Sequence, residues 1–258
     1  MATLVVLSSA FMAALLTLFS GFGLGTLLMP VMAIFFPLTM AIAMTAVVHL
    51  MNNLFKFFLL SKYIVWKVIL KFGLPALFAA IPGAWLLSKI SHLPPLYTYQ
   101  WFHLVATMTP VKLIVGILLI GFATMEWRRN LNFTFFKSKY LPLGGLLSGF
   151  FGGISGQQGA FRTPFLLHLG LTKREFVSTN AAIAVLVDIS RLFVYGATLH
   201  PMILLKADTS LILLATLMAF LGSILGVIAL KKVTLVWIQR LVALLLYLLG
   251  LFLLLGII

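Results

Sequence analysis

Residues 152–164 read GGISGQQGAFRTP: four glycines, two glutamines and an arginine inside an otherwise almost unbroken hydrocarbon chain. Of the 258 residues 63% are hydrophobic and 9% are charged, against about 25% charged in a soluble domain. Runs of around 20 apolar residues, enough to cross about 30 Å of hydrocarbon, recur along the sequence. A soluble fold is excluded. So is a β-barrel, whose strands alternate polar and apolar positions, whereas LVALLLYLLGLFLLLGII at 241–258 does not alternate. The expected class is an all-α polytopic membrane protein.

Ten apolar stretches can be marked, at 3–20, 24–36, 38–60, 67–90, 110–126, 141–152, 158–170, 176–198, 209–230 and 234–257. The stretches 24–36, 141–152 and 158–170 are short. About 13 residues make only ~20 Å of helix, which suits a half-helix or re-entrant segment. The 18 Lys and Arg outnumber the 4 Asp and Glu. They fall mostly between the stretches, as topology signals and headgroup contacts, so no nucleic-acid partner is expected. Four groups stand out: Lys56, Lys62, Lys67 and Lys71; Arg128, Arg129, Lys137 and Lys139; Lys173 and Arg174; Lys231 and Lys232. Placing all four in the cytoplasm puts both termini outside, with the aromatic linker 91–109. The N-terminal stretch lacks the basic start of a signal peptide and is expected to be the first membrane segment. There is no cysteine, which excludes disulfides and thiolate chemistry.

The opening stretch has an earlier partner in SGFGLGTLLMP, Ser20 to Pro30. Gly25 and Gly159, Pro30 and Pro164, and Thr45 and Thr179 are each 134 residues apart, and LFAAIPG at 77–83 falls over LMAFLGS at 217–223. With five stretches per half, an odd number, tandem copies enter the membrane in opposite orientations. The basic groups require the same inversion. We expect residues 1–139 to form one repeat and 140–258 its inverted copy, a pattern that places a secondary transporter's site at the interrupted segments.

Each glycine-rich joint leads into a short helix. A helix start leaves N–H groups free and carries about half a positive charge, and glycine lets an anion reach that backbone. Gly21-x-x-x-Gly25 and Gly145-x-x-x-Gly149 fit close helix packing equally well. No Lys-Ser/Thr follows, which argues against a nucleotide loop. The candidate binding set takes Gly21, Gly23 and Gly25 from the first joint, with Thr45, His49 and Asn52 on the next helix. The second half adds Gly153, Ser155, Gly156, Gln157, Gln158, Gly159 and Arg162, then Thr179, Asn180, Asp188 and Arg191. An arginine at the bilayer centre costs ~2.5–3.5 kcal/mol on insertion scales. Arg162 therefore lines a cavity, finds a partner, or snorkels from the headgroup level. Asp188 and Arg191 are three apart on one helix face. Asp188 is expected to pair with Arg191, to hold Arg162, or to take up a transported proton. His49 is a candidate titrating group or an interhelical polar contact. Glu126 and Glu175 read as solvated flanks. No His-Glu-x-x-His, clustered carboxylates or nucleophile beside a base occurs, so no enzyme, metal or cofactor is expected.

GFGLGTLLMP at 21–30, followed by a short apolar helix and AMT at 43–45, resembles the first repeat of the TauE/SafE family of sulfite exporters. FFGGISGQQGAFRTPFLLHLGLTKREFVSTNAAIAVLVDISRLFVYG at 150–196 resembles its second repeat more closely. The resemblance implies an inner-membrane carrier for a small sulfur-containing anion, such as sulfite or a sulfonate, surrounded by membrane lipids; homo-oligomerisation stays open. The family pattern falls on Gly21, Gly23, Gly25 and Pro30, then on Gly152, Gly153, Ser155, Gly156, Gln158, Gly159, Arg162 and Thr179. Leu24 stands where many members add a glycine, and Thr163-Pro164 follows the arginine. On this reading backbone N–H groups, Ser155, Gln157 and Gln158 hold the anion's oxygens and Arg162 balances its charge. A membrane-embedded partner of a sulfur-metabolising enzyme and an anion channel remain as alternatives.

Overall fold

The computed structural model describes residues 1–20, 23–101, 104–127, 138–199, 208–229 and 235–258. Among them ten helices follow the apolar stretches: α1 Ala2–Ser20, α2 Leu24–Phe35, α3 Leu38–Leu60, α4 Trp66–Ser91, α5 Pro110–Trp127, α6 Leu141–Ser155, α7 Gln158–Leu167, α8 Lys173–Thr198, α9 Thr209–Ala229 and α10 Leu235–Leu254. A π turn interrupts α4 at Ile69–Gly73. By length and composition α3, α4, α8 and α9 can each cross a membrane. The short helices α2 and α7 have 12 and 10 residues, about 18 and 15 Å, and stop well short of the hydrocarbon thickness. Each carries its proline, Pro30 or Pro164, in its interior.

Three boundaries differ from the sequence expectation. Helix α8 begins at Lys173, not 176, because Thr172 and Glu175 form a capping box: Thr172 accepts from Glu175 N, and Thr172 N donates to Glu175 Oε2 at 2.8 Å. Glu175 is thus a cap as well as an exposed flank. Helix α6 continues to Ser155, so Gly152 and Gly153 are helical and the joint shrinks to Gly156–Gln157. The linker 91–109 contains an antiparallel hairpin, β1 Tyr97–Trp101 and β2 Leu104–Met108, with Tyr97 opposite Met108. The hairpin docks on the last turn of the chain. Thr107 N donates to Gly256 O at 3.0 Å, and Tyr99 Oη to Leu255 O at 2.5 Å. Lys112 Nζ ties the two together through Thr107 O at 2.8 Å and Gly256 O at 3.1 Å.

The main packing pairs join early helices to late ones: α4 with α6, α1 with α9, α5 with α10 and α3 with α8. The contacts are reciprocal. A Cβ added to Gly116 of α5 would meet Gly250 O of α10 at 3.1 Å, and one added to Gly250 would meet Gly116 O at 3.1 Å. A Cβ added to Gly83 of α4 would come within 2.1 Å of Phe150 O of α6, just as one added to Gly222 of α9 would come within 2.3 Å of Phe11 O of α1. Large apolar side chains such as Phe78, Trp85, Phe193, Leu213 and Ile228 face outward, where lipid would cover them. At one end Arg174 Nη1 donates to Tyr63 Oη at 2.6 Å, which brings the Lys62/Lys67 and Lys173/Arg174 groups together. Arg128, Arg129, Lys137, Lys231 and Lys232 lie outside the described residues.

Gly145, Gly149 and Gly153 recur every fourth residue along α6, and each meets a carbonyl recurring every fourth residue along α4. Cβ atoms there would come within 2.3 Å of Phe72 O, 2.0 Å of Ala76 O and 2.4 Å of Ala80 O. Backbone cannot yield as a side chain can. We expect Gly149→Ala to destabilise the protein by about 1–3 kcal/mol or more, read as a lower thermal midpoint of the detergent-solubilised protein. Gly196→Ala on α8, with open space around it, is expected to leave that midpoint unchanged or slightly raised.

Candidate functional site

Helices α3 and α8 cross with their polar faces together. Thr45, His49, Asn52, Asn53 and Lys56 on α3 are all 5% exposed or less, as are Asp188 and Arg191 on α8. At the crossing His49 Nδ1 lies 2.6 Å from Asp188 Oδ2. Asp188 Oδ1 accepts from Arg191 Nε at 2.9 Å and from Gln158 Nε2 at 3.0 Å, and Arg191 Nη2 approaches it at 2.8 Å. Gln158, in the first turn of α7, turns its other end to Arg162, whose Nη1 donates to Gln158 Oε1 at 2.8 Å. Arg162 Nε completes the chain at Asn180 Oδ1 of α8, at 2.5 Å. Three helices are thereby tied by one buried network.

The two helix starts converge on it. A Cβ on Gly25, in the first turn of α2, would lie 3.6 Å from Gly156 O, 3.7 Å from Thr45 Cγ2 and 3.8 Å from His49 Cδ2. Gly23, the N-cap of α2, sits against His49 Nε2, which is 2.7 Å from where a Cβ would be. The ring's other nitrogen, Nε2, faces that helix start while Nδ1 is held by the carboxylate. Gly156 has φ +77°, a left-handed conformation that glycine adopts without steric penalty. Arg191 Nη1 occupies the space where its Cβ would go, at 2.7 Å.

Several buried polar atoms here have no partner among the described residues: Arg162 Nη2, Arg191 Nη1, both amide atoms of Gln157, and the hydroxyls of Thr26 and Thr45. Two guanidiniums, permanently charged, face one carboxylate. A buried donor left without an acceptor costs about 1–3 kcal/mol, more when charged. Such a set can hold an oxyanion, which would take up free N–H donors and balance the positive excess.

The structure sorts the expected site residues. Gly23, Gly25, Thr45, His49, Gly156, Gln157, Gln158, Arg162, Asn180, Asp188 and Arg191 come together, and Gly159 is buried in the first turn of α7. Gly21 lies outside the described residues. Gly153 instead faces α4, and its carbonyl accepts from Tyr195 Oη. Ser155 Oγ turns back to Phe151 O at 3.0 Å and receives Gln157 N at 3.4 Å. Thr179 Oγ1 accepts from Val65 N at 3.0 Å, at the start of α4. Asn52 faces α9. The amide orientation that satisfies both its ends donates to Ser223 Oγ at 2.7 Å and accepts from Lys56 Nζ at 3.0 Å. Arg162 does not snorkel, being 0% exposed. Asp188 reaches it only through Gln158. Asn53, on the same polar face as Thr45, His49 and Asn52, is buried beside His49, its Nδ2 donating to His49 O at 2.8 Å. Tyr195 and Lys56, the latter grouped by sequence with a cytoplasmic turn, are site neighbours that sequence reasoning misses. All three sit four or seven residues from His49 or Arg191, a spacing that marks a shared helix face.

A family model described as sulfite exporter TauE/SafE matches residues 6–253. No curated protein matches, and no solved structure does.

Proposed function

The chain belongs to the sulfite exporter TauE/SafE family, a family of membrane transporters and not of enzymes, and we propose that it is a secondary carrier of a small sulfur-containing oxyanion. Sulfite or a sulfonate fits that description, carried across the cytoplasmic membrane. The observation that carries this reading is the set of buried donors without a partner among the described residues, Arg162 Nη2, Arg191 Nη1 and Gln157 Nε2, near where α2 begins beside Gly156. An anion's oxygens would bind these donors and the free N–H groups of the α2 start. Asp188 and Gln158 hold the two arginines apart and in place. Residues 1–139 and 140–258 act as two inverted halves, a reading supported by the reciprocal Gly116–Gly250, Gly83–Phe150 and Gly222–Phe11 contacts. Alternating access then follows from one half rocking against the other about the α3–α8 crossing. The joined basic turns at Tyr63 and Arg174 face the cytoplasm and leave both termini outside.

The test is uptake of ³⁵S-sulfite, thiosulfate, a sulfonate and a carboxylate into proteoliposomes of the purified protein. We expect saturable uptake of at least one sulfur oxyanion, accelerated by the same anion preloaded inside. Flux that rises linearly and shows no counterflow would replace the carrier with a channel. Inactivity towards the whole panel would leave a membrane-embedded partner of a sulfur-metabolising enzyme as the better reading.

A further inference from the structure

Beyond the central network, the α3–α8 seam continues to a second buried cation. From the His49–Asp188 pair, α3 advances seven residues to Lys56 while α8 runs back eight residues to Asn180, about 10 and 12 Å along the two helices. Both residues line one cavity, with Thr17, Gly23, Asn53 and Val177. The cavity lies towards the end where the Lys62/Lys67 and Lys173/Arg174 turns meet. Its volume is about 10 Å³, room for about one water and not for an oxyanion. Lys56 is 5% exposed. Its Nζ has Asn52 Oδ1 at 3.0 Å, and no carboxylate pairs with it among the described residues. Burying an ammonium without a counter-charge is expensive, and lining a membrane helix with one is rarely structural. Asn180 belongs to both regions: it lines the cavity and its Oδ1 accepts from Arg162 Nε at 2.5 Å.

We propose that Lys56 is a binding residue for the transported oxyanion at a staging site on the basic side of the protein, one step before Arg162. The inference rests on the carrier reading above. The anion enters from the basic end, is met by the Lys56 ammonium as the cavity widens, and passes Asn180 to reach the arginines. In this structure the cavity beside Lys56 and Asn180 has room for about one water.

The test separates the two sides of the membrane. In proteoliposomes of fixed protein orientation, Lys56→Met is expected to raise the half-saturation concentration for ³⁵S-sulfite at least about tenfold when the anion is applied from the basic side. Tenfold is the loss of one charge-assisted hydrogen bond. From the other side it should change by less than about twofold, and Lys56→Arg should restore most of the basic-side value. Should Lys56→Met not be recovered as a monodisperse protein, Thr17→Asp places a carboxylate against the same cavity and is expected to give the same one-sided rise. No change, or an equal change from both sides, would show that Lys56 only supports the α3–α9 contact through Asn52 and would overturn the proposal. Inactivity of the wild-type protein would remove the carrier reading and this one with it. A normal wild type with a normal Lys56→Met removes this one alone.

Discussion

Arg162→Gln is expected to lower the initial rate of sulfite uptake at least about 100-fold while the protein still folds. The guanidinium is 0% exposed and spends two of its nitrogens on Asn180 and Gln158, at 2.5 and 2.8 Å. Its Nη2 is left over. Charge-assisted hydrogen bonds are worth about 1.5–3 kcal/mol each, and ~2.7 kcal/mol is a factor of about 100. An oxyanion that loses both the free donor and the balancing charge should lose at least that much. Folding should survive, because glutamine can still reach one of the two partners and a buried charge has been removed rather than orphaned. Arg162→Lys separates charge from geometry: a compact ammonium cannot serve Asn180, Gln158 and an anion at once, so it should recover only part of the rate. Uptake by Arg162→Gln within about threefold of wild type, in protein with an unchanged elution profile, would place the anion elsewhere.

The ten helices were legible because membrane spans announce themselves by length and apolarity, and the two shortest by being too short. The joint was legible only in outline. Glycine marks both a backbone open to a ligand and a close helix contact, and the sequence around Gly152 and Gly153 does not choose. The choice comes from α4, whose Ala80 carbonyl fills the space beside Gly153, a contact between residues 73 positions apart. Two local signals were present but outweighed. Thr172-x-x-Glu175 is a capping box that starts α8 three residues early, and the alternation from Tyr97 to Trp101 is a strand period that reads as an aromatic loop beside Pro94 and Pro95.

Side-chain partners were harder to reach. The four-residue step from Gln158 to Arg162 puts both on one face of α7, so their bond could be expected. That Gln158 would also stand between Arg162 and Asp188 depends on how α7 lies against α8, which no spacing encodes. Lys56 shows the same limit from the other side. Its seven-residue step from His49 gives the face, but its burial is decided by α8 and α9 closing over it.

Asp188→Asn is expected to be the most damaging single change to the fold. The carboxylate is 0% exposed and faces His49 Nδ1 at 2.6 Å, Arg191 Nε at 2.9 Å and Gln158 Nε2 at 3.0 Å. Neutralising it leaves the Arg191 and Arg162 guanidiniums buried with no counter-charge in the network. Breaking a buried ion pair from one side costs about 3–5 kcal/mol. By the scaling of a domain of about this size, that is a fall of roughly 6–20 °C in the thermal midpoint. The same arithmetic makes a second prediction that a purely local packing effect would not. Adding Arg191→Gln to Asp188→Asn removes the orphaned cation together with its partner, so the double variant should be more stable than Asp188→Asn alone. Coupling of this kind is what a double-mutant cycle isolates. If the two losses simply add, Asp188 and Arg191 do not act as a pair in the folded protein. If stability returns but uptake does not, the pair's charge is needed for the anion as well as for the fold.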